Sequence, residues 1–523
     1  MASAKKKSTP IHIVWFKRDL RVHDHKPLWH AAQQGAVLPL YIVEPKMLTA
    51  PDAAPSHWTF IKGCIEDLRE SLAQLGQPLV VRIGSALSVF KSLNRQVNVA
   101  HIWAHEETGN WRTYQRDNAI RDWARAAHVP MTELPQNSVV RRLQSRDLWA
   151  GICHERMREA LTPIPEALEG VGLQIGRIPD LKQLKLGRDR RTIQTGGESQ
   201  AIALFDQFLT TGADQYLHGL FSPHHAPDLC SRLSPHLAHG TISVRRVIQS
   251  TKRRIYHAQR NKEEGFDKAA WVKNLKAFQS RVQWRDHFIQ KLEDEPEIEF
   301  QNFVRELDGL REPQFSDDYF DRWCQGQTGY PLIDAAMRSL LATGWINFRM
   351  RAMLISFASY DLWLHWRKPA LHLARCFVDY EPGIHYSQMQ MQAGTTGINT
   401  IRVYNPTKQA LEHDADGLFI RRWVPELADV PQSFLHEPWR MPPSVQQSAG
   451  CILGRDYPKR IVDHQQAASS ARKRLYRARQ RPAALESAQA VLQKHGSRRQ
   501  NGNKGRSKGL ISAYQMEFNL FDV

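Results

Sequence analysis

The order of apolar and polar residues in the first third of the chain predicts strands that alternate with helices. Five short runs rich in Val, Ile and Leu have the length of buried strands; they are Ile11–Phe16, Ala36–Val43, Pro78–Arg82, Val97–Ala104 and Val129–Leu134. Amphipathic helical patterns lie between them, notably His57–Leu75 and Trp111–Ala127. Single helices between successive strands predict an α/β domain over residues 11–137, built on a doubly wound parallel sheet.

The pattern changes after residue 137. Residues 138–200 are irregular, with scattered Pro, Gly and basic residues, and we interpret them as an interdomain linker. From there the period is helical, as in Gln200–Thr210, Ser243–Asn261, Trp271–Leu292 and Ile461–Arg479. We therefore predict an all-helical domain over residues 201–480. Residues 1–10 are predicted to be a basic leader, and residues 481–523 a basic, largely disordered tail.

The stretch from Thr328 to Glu426 is the most informative part of the helical region. Leu332, Ala336 and Leu340 recur at helical spacing after a Tyr-Pro entry. A second apolar run contains Arg349 and Arg351, which need partners because a buried unpaired charge is costly. The downstream acids Asp379 and Glu381 are possible partners. This arrangement fits a cofactor pocket with fixed ion pairs, or a large helical core with structural ones.

The composition of the chain indicates which kind of partner and which cellular compartment to expect. The net charge is +18, of which Ser470–Leu510 alone carries +11, so a polyanion such as nucleic acid is the expected partner. The six cysteines are scattered with no CxxC pair, which predicts neither a metal site nor a disulfide framework. No apolar run has the length of a membrane span, and we expect a soluble, cytoplasmic protein.

The run SRLSPHLAHG from Ser231 to Gly240 is the first motif with possible chemistry. Its two serines precede a predicted helix that has Pro at its start. Hydroxyls and free backbone N–H groups at such a position suit phosphate binding. An ordinary helix cap is the simpler interpretation of this motif alone.

The helical run Gln283-Trp284-Arg285-Asp286 is the second such motif. Trp284 beside Arg281 and Arg285 has the composition needed to stack a base while guanidinium groups meet phosphates. A buried Trp on a helix with a solvated basic face would give the same pattern.

Together these stretches resemble the photolyase/cryptochrome family of flavoproteins from about Ile11 to Arg479. WFKRDLRVHDH is similar to the family's N-terminal signature, and SRLSPHLAHGTIS to its flavin-phosphate motif. WRD, TGYPLIDAAMR, TGWINFRMR and NPTKQ followed by DADGLFIRRWVPEL match in order and spacing. The resemblance implies an N-terminal Rossmann-like antenna domain, a long linker, and a helical domain that holds FAD.

The resemblance also implies a function. In photolyases, reduced flavin passes a light-driven electron to a flipped-out cyclobutane pyrimidine dimer in UV-damaged DNA and splits it. We therefore expect a blue-light-driven photolyase, a carbon–carbon lyase. Two alternatives stay open: a cryptochrome-like photoreceptor that binds FAD without repair, and a light-independent nucleic-acid-binding protein. A monomer is expected.

Site residues follow from the resemblance, position by position. It implies that the flavin is held by Tyr216, Ser231, Arg232, Leu233, Ser234, Arg285, Arg351 paired with Asp379, Tyr380, Glu381 and His385. It implies that Trp284 packs against the lesion. The implied DNA-binding set is Arg281, Trp284, Arg349, Lys408 and Met353.

The chain departs from the family at several of these positions. Arg281 stands where photolyases have a dimer-contacting Glu, and Ala352, next to Met353, where they have a Met. His385 replaces the Asn near flavin N5. We therefore expect Trp284, Arg281 and His385 to be the catalytic residues that set the activity.

The family's electron relay of three Trp is also incomplete. Trp366 matches the middle member, but Met389 takes the flavin-proximal place, and no Trp stands near Pro313 for the third. Trp345, Trp363, Tyr360 and Tyr386 are possible substitutes.

A second, antenna chromophore is expected without an assigned identity. Glu106-Glu107 stands at the position where members of the family bind a pterin antenna. The next four residues, Thr108-Gly109-Asn110-Trp111, differ from the folate-binding pattern. At the C-terminus, Glu517-Phe518-Asn519-Leu520-Phe521 resembles the short peptide by which bacterial repair proteins dock on the sliding clamp. The alternative is a tail that folds back on its own domain.

Overall fold

A computed structural model describes residues 9–189 and 191–496. The N-terminal domain is built on a five-stranded, fully parallel sheet with strand order β3-β2-β1-β4-β5. The strands are β1 Ile11–Phe16, β2 Ala36–Val43, β3 Val80–Ile83, β4 Val99–His105 and β5 Met131–Leu134. This confirms the predicted doubly wound sheet.

Both faces of the sheet are covered, as an all-parallel sheet requires. Along β1, Ile13 and Trp15 pack into one apolar cluster, whereas Val14 and Phe16 pack into the other. The linker adds to the second cluster through Leu168 and Leu184. The helices of this half of the chain are α1 Lys26–Ala32, α2 Pro45–Leu48, α3 Pro55–Gln74, α4 Ala86–Gln96, α5 Trp111–Ala126 and α6 Arg146–Arg158.

Strands β3, β4 and β5 begin two residues later than their apolar runs predict, and in β3 and β5 a proline stands at the start of the run. Pro78 stands at the start of the first run, and Pro130 is the second residue of the other. Because proline has no backbone N–H to donate, the hydrogen-bonded ladder starts beyond it. The apolar runs therefore located the starts of these strands to within two residues, and in β3 and β5 proline accounts for the later start of pairing.

The second half of the described chain is helical, as predicted. Its helices are α7 Glu198–Gln207, α8 Tyr216–Phe221, α9 Ala226–Leu229, α10 Ser234–His239, α11 Val244–Arg260, α12 Lys268–Asp294, α13 Asp317–Cys324, α14 Pro331–Thr343, α15 Phe348–Ser356, α16 Arg367–Cys376, α17 Pro382–Ala393, α18 Pro406–His413, α19 Leu418–Trp423, α20 Gln432–Leu435, α21 Pro443–Ser448, α22 His464–Arg479 and α23 Pro482–His495. Across the described ranges, no helix combines the length and apolarity needed to cross a bilayer.

Two glycines determine how the central helices meet. Gly344 ends α14 with φ of +71°, a conformation that a side chain would disfavour. Gly383 lies in the first turn of α17, and a Cβ there would stand 2.5 Å from Cα of Ile289 on α12. Helices α12 and α17 therefore approach closely, and the residues at the start of α17 lie next to those of α12.

Helix α23 lies within residues 481–523, which the sequence predicts to be a basic tail. Helix α23 packs Ala484 and Val491 against Phe303, Val304 and Leu307. The apolar spacing of this helix gives it a buried face, which the surrounding basic composition obscures. The clamp-like peptide Glu517–Phe521 lies outside the described residues.

Candidate functional site

A large cavity in the helical domain brings the predicted flavin residues together. Its empty volume is about 1510 Å³, including the space open to solvent. It lies between α8, α10, α12, α15 and α17, and Trp284 and Arg281 line it as well. The predicted flavin residues in its wall are Tyr216, Ser231, Arg232, Leu233, Ser234, Arg285, Arg351, Asp379, Tyr380, Glu381 and His385.

One end of the cavity is suited to phosphate. Arg232 has φ of +53°, and its guanidinium lies over the Trp345 ring at 4.1 Å. The Trp345 indole N–H donates to Oγ of Ser234 at 3.0 Å. The buried Nε of Arg232 has no hydrogen-bond partner among the described residues, and burial lowers the pKa of this arginine. An unpartnered cationic donor beside two serine hydroxyls fits the phosphates of FAD.

An ion pair forms the wall beside this end. The Arg351 guanidinium donates to both carboxylate oxygens of Asp379, at 3.0 and 2.7 Å. Its Nε donates to the Ile346 carbonyl at 2.9 Å, and its charged plane lies 4.1 Å from the centre of the Phe377 ring. Three hydrogen bonds and a ring contact fix the direction of this arginine.

Arg18, at the end of β1, is a site residue to which the sequence assigned no role. It donates to Glu381 at 3.0 Å and to the backbone carbonyls of Ala238 and Tyr380 at 2.8 and 3.2 Å. Arg285 approaches the same carboxylate at 3.4 Å. Burial raises the pKa of Glu381, although both arginines oppose the rise. A charged residue two positions after a buried strand was the signal available in the sequence.

His385 lies in the cavity wall as a neutral side chain. Burial lowers its pKa to about 4, although a hydrogen bond to the Ala370 carbonyl opposes the change. Nε2 lies 2.8 Å from that carbonyl and therefore carries the single proton of the neutral ring. Nδ1 is left as an acceptor, whereas an Asn at this position would also offer a donor.

Trp284 and Arg281 form a part-exposed section of the wall. Trp284 packs edge-on against His287, with ring centres 5.0 Å apart, and beside Phe288 at 5.7 Å. Burial lowers the pKa of Arg281, and the charge of Arg349 lowers it further, while Tyr216 acts in the opposite direction. An aromatic plane beside guanidinium groups can take a base and its phosphate.

The other predicted DNA-binding residues lie elsewhere. Arg349 is positioned over Phe221 and Tyr404, and exposed Lys408 lies on α18 near Glu412. Met353 is only 2% exposed and packs in the helical core, so its prediction as a DNA contact is wrong. On helix α15 it is Ala352 that faces the cavity.

The residues expected to carry electrons are separated. Met389 lines the cavity, whereas Trp366 is fully buried outside it and donates to Asn302 at 2.7 Å. Tyr386 lies between, with its ring centre 6.3 Å from that of Trp366 and 6.4 Å from that of Tyr380.

A second cavity, of about 1070 Å³, lies at the carboxyl ends of the N-terminal strands. Its wall contains Arg112, Arg116 and Glu107, and Tyr380 separates it from the first cavity by lining both. Glu107 accepts a hydrogen bond from Arg116, so this member of the predicted Glu106-Glu107 pair faces a charged pocket.

Comparisons with known proteins match both domains. A family profile described as the FAD binding domain of DNA photolyase matches residues 278–477, and one described as DNA photolyase matches residues 12–146. The deoxyribodipyrimidine photo-lyase of Salmonella typhimurium is 30% identical over 483 residues, which cover 88% of this chain and 97% of that protein.

Two further relatives broaden the comparison. Cryptochrome DASH of Gloeobacter violaceus is 30% identical over 494 residues, which cover 88% of this chain and 95% of that protein. The crystal structure of the archaeal photolyase from Sulfolobus tokodaii, described with two FAD molecules, superposes with a TM-score of 0.72 at 25% identity. That alignment covers 89% of this chain and 100% of the archaeal one.

Proposed function

Since the chain belongs to the photolyase/cryptochrome family, we propose that it is a blue-light-driven DNA photolyase that splits cyclobutane pyrimidine dimers. The chain carries the family's FAD-binding domain. When bound and reduced, FAD supplies the electron that light drives into the dimer, and the protein supplies binding, orientation and electrostatics.

One observation carries the proposal: phosphate-binding groups and a part-exposed tryptophan line the same cavity. Arg232 and Ser234 stand at one side of it and Trp284 with Arg281 at another. A cofactor held by the first group and a flipped-out base packed on Trp284 would therefore share one space, and short separation favours electron transfer.

Each group has a defined task in this proposal. Arg232 donates to the anionic phosphates, and the Arg351–Asp379 pair holds a fixed charge distribution beside the flavin rings. Trp284 stacks on the flipped pyrimidines and excludes water from them, while Arg281 neutralises the adjacent backbone phosphate. Arg349 and exposed Lys408 extend this basic surface towards the flanking DNA.

A photoreceptor that binds FAD without repair is the second candidate. It is favoured by Arg281, because a cation stands where photolyases place a dimer-contacting carboxylate, and by Ala352 and His385. Relatives at 30% identity include a cryptochrome DASH as well as a photo-lyase.

Dimer loss under light separates the two candidates. Protein with bound, chemically reduced FAD is illuminated with blue light in the presence of single- or double-stranded DNA that contains one dimer. We expect dimer loss that requires light. Retention of the dimer in both substrates, with FAD still bound, would leave the photoreceptor as the function.

Replacement of Trp284 by Ala tests the lesion site directly. Loss of one base-stacking platform is expected to weaken binding of dimer-containing DNA by about tenfold, or ~1–3 kcal/mol. Affinity for undamaged DNA is the internal control, since it depends mainly on phosphate contacts. If the wild type and Trp284→Ala bind dimer-containing DNA with equal affinity, the dimer does not pack against Trp284.

The second cavity is proposed to hold the antenna chromophore. Its aromatic and charged lining suits a planar anionic pigment, and the Sulfolobus relative is described with two FAD molecules. Absorbance and mass of the pigments released by denaturation identify it; FAD as the sole pigment, at one equivalent per chain, would contradict the assignment.

A further inference from the structure

A pair of hydrogen-bonded tyrosines ends on a carboxylate between the two cavities. The Tyr380 hydroxyl donates to Oδ2 of Asp52 at 2.9 Å, and the Tyr386 hydroxyl lies 3.1 Å from that of Tyr380. Because Tyr380 gives its only proton to Asp52, Tyr386 donates to the Tyr380 oxygen. Both phenols therefore have a hydrogen-bonded route to one carboxylate.

Asp52 is arranged as an acceptor. Its Oδ2 also receives a hydrogen bond from the Asn110 amide at 2.8 Å, so two donors converge on one oxygen. Asp52 comes from the N-terminal domain and lines the second cavity. The carboxylate can therefore hold a proton outside the flavin cavity.

The aromatic rings continue from the flavin cavity into the core. Tyr380 lines the cavity, Tyr386 follows at 6.4 Å and Trp366 at 6.3 Å, measured between ring centres. Met389 lines the same cavity but has a thioether in place of an oxidisable ring. The tyrosine pair thus forms a connection of oxidisable rings between this cavity and Trp366, while the His385 ring also packs against Tyr386 at 5.4 Å.

We propose that Tyr380 and Tyr386 supply the electron that photoreduces the flavin, with Asp52 as the proton acceptor. This rests on the FAD binding of the proposed function. Asp52 serves as a positioning and proton-accepting residue that lies outside the flavin cavity.

The step balances as a proton-coupled electron transfer. One electron leaves the Tyr380 phenol for the photoexcited oxidised flavin, and the phenolic proton moves to the Asp52 carboxylate. The neutral Tyr380 radical then takes a hydrogen atom from Tyr386 across their hydrogen bond. An external thiolate returns one electron to Tyr386, and the proton held by Asp52 returns through Tyr380. The thiolate becomes a thiyl radical, and the pair is restored.

Spectroscopy of the full-length flavoprotein tests the proposal. Oxidised protein is illuminated without thiol, and the radical is identified by transient absorption and electron paramagnetic resonance. We expect a neutral tyrosyl radical in the wild type. Its yield should fall at least about tenfold in Tyr380→Phe and Tyr386→Phe, and also in Asp52→Asn, which lacks the proton acceptor. Formation in wild type should slow in D₂O, because a proton moves with the electron.

Tyr457→Phe is the matched control. The Tyr457 hydroxyl donates to Oδ2 of Asp334 at 2.7 Å, so this variant also loses a buried phenol–carboxylate hydrogen bond, but away from the cavity. Its radical yield should equal that of the wild type. A tryptophanyl radical in the wild type, or yields within about twofold of wild type in all three test variants, would overturn the proposal.

Chemically reduced protein separates this inference from the proposed function. Tyr386→Phe, reduced with dithionite, should repair dimers at the wild-type rate, because repair does not need photoreduction. Normal radicals without repair would refute the photolyase function alone. Repair without tyrosyl radicals would refute the tyrosine route alone. Bound FAD and the thermal midpoint are measured for each variant, and Tyr386→Trp, which restores an oxidisable ring, should recover electron transfer if Tyr386→Phe is unstable.

Discussion

The two ends of the flavin cavity differ in what their polar atoms already contact. At the phosphate end, the Arg232 Nε has no partner among the described residues. At the other end, His385 is bonded to Ala370, and Tyr380 to Asp52. One end keeps a charged donor for a ligand, whereas at the other the protein itself already bonds Nε2 of His385 and the hydroxyl of Tyr380. The first end is therefore suited to binding, and the second to setting the electronic surroundings of a ligand bound elsewhere.

The largest effect is expected when the Arg351–Asp379 ion pair, which borders the phosphate end, is broken. Asp379→Ala leaves Arg351 without its carboxylate and should lower the free energy of unfolding by about 3 kcal/mol, with loss of FAD. Urea unfolding of the apoprotein measures this. Glu426→Ala is the control, because its partner Arg338 lies in a more exposed pair and should change stability by less than ~1 kcal/mol. Equal losses of unfolding free energy in Asp379→Ala and Glu426→Ala would show that the two ion pairs contribute equally to stability.

Arg232→Ala tests the binding end alone. Loss of a charge-assisted hydrogen bond should weaken FAD binding by about 10- to 100-fold, or ~1.5–3 kcal/mol, measured by quenching of flavin fluorescence. Protein saturated with FAD should still form the light-induced radical. Arg349→Ala removes a similar charge outside the cavity and should bind FAD normally. An unchanged FAD affinity in Arg232→Ala would mean that the phosphates lie elsewhere.

His385→Asn tests the other end through pH. The folded protein holds the pKa of His385 at about 4, below the ordinary value of ~6.5, so the unfolded chain binds more protons between these values. Stability should therefore fall as the pH is lowered from about 6.5 to 4. At pH 5 this one group should cost about 2 kcal/mol, and the Asn variant should lack that loss.

Unfolding free energies at pH 7 and pH 5 measure the difference. The exposed His128 provides a control, since His128→Asn should leave the pH dependence as in wild type. If His385→Asn and wild type lose the same free energy between the two pH values, the ring is not held neutral.

Trp366→Phe should have the smallest effect. If the tyrosine pair reduces the flavin, the rate of photoreduction should change by less than about twofold, or ~0.4 kcal/mol of barrier. Loss of the bond to Asn302 should cost about 1 kcal/mol of stability. Photoreduction slowed tenfold or more would make Trp366 a required electron donor and would contradict the tyrosine pair as the source of the electron.

The sequence predicted contiguous features better than distant contacts. Strands β1 and β2 were predicted to the residue because their apolar runs are uninterrupted, and the Ser231–Ser234 motif lies within four consecutive positions. Arg18 and Glu381 are 363 residues apart, and Asp52 and Tyr380 are 328 apart. Apolar residues around a charged residue predict that it has a partner. They do not identify that partner when it lies far away in the sequence. The same limit applies to the packing of α23, whose buried face depends on Phe303 and Val304.

The hydrogen bond from Arg18, which follows β1, to Glu381 in the helical domain has a consequence for how the protein unfolds. A buried carboxylate that shares a guanidinium with the other domain cannot keep its environment if that domain opens. The two domains should therefore lose structure in one cooperative transition, and Val378 of the helical domain also packs into a core of the N-terminal sheet. A ligand that tightens the flavin cavity would then protect the amide hydrogens of the N-terminal sheet from exchange.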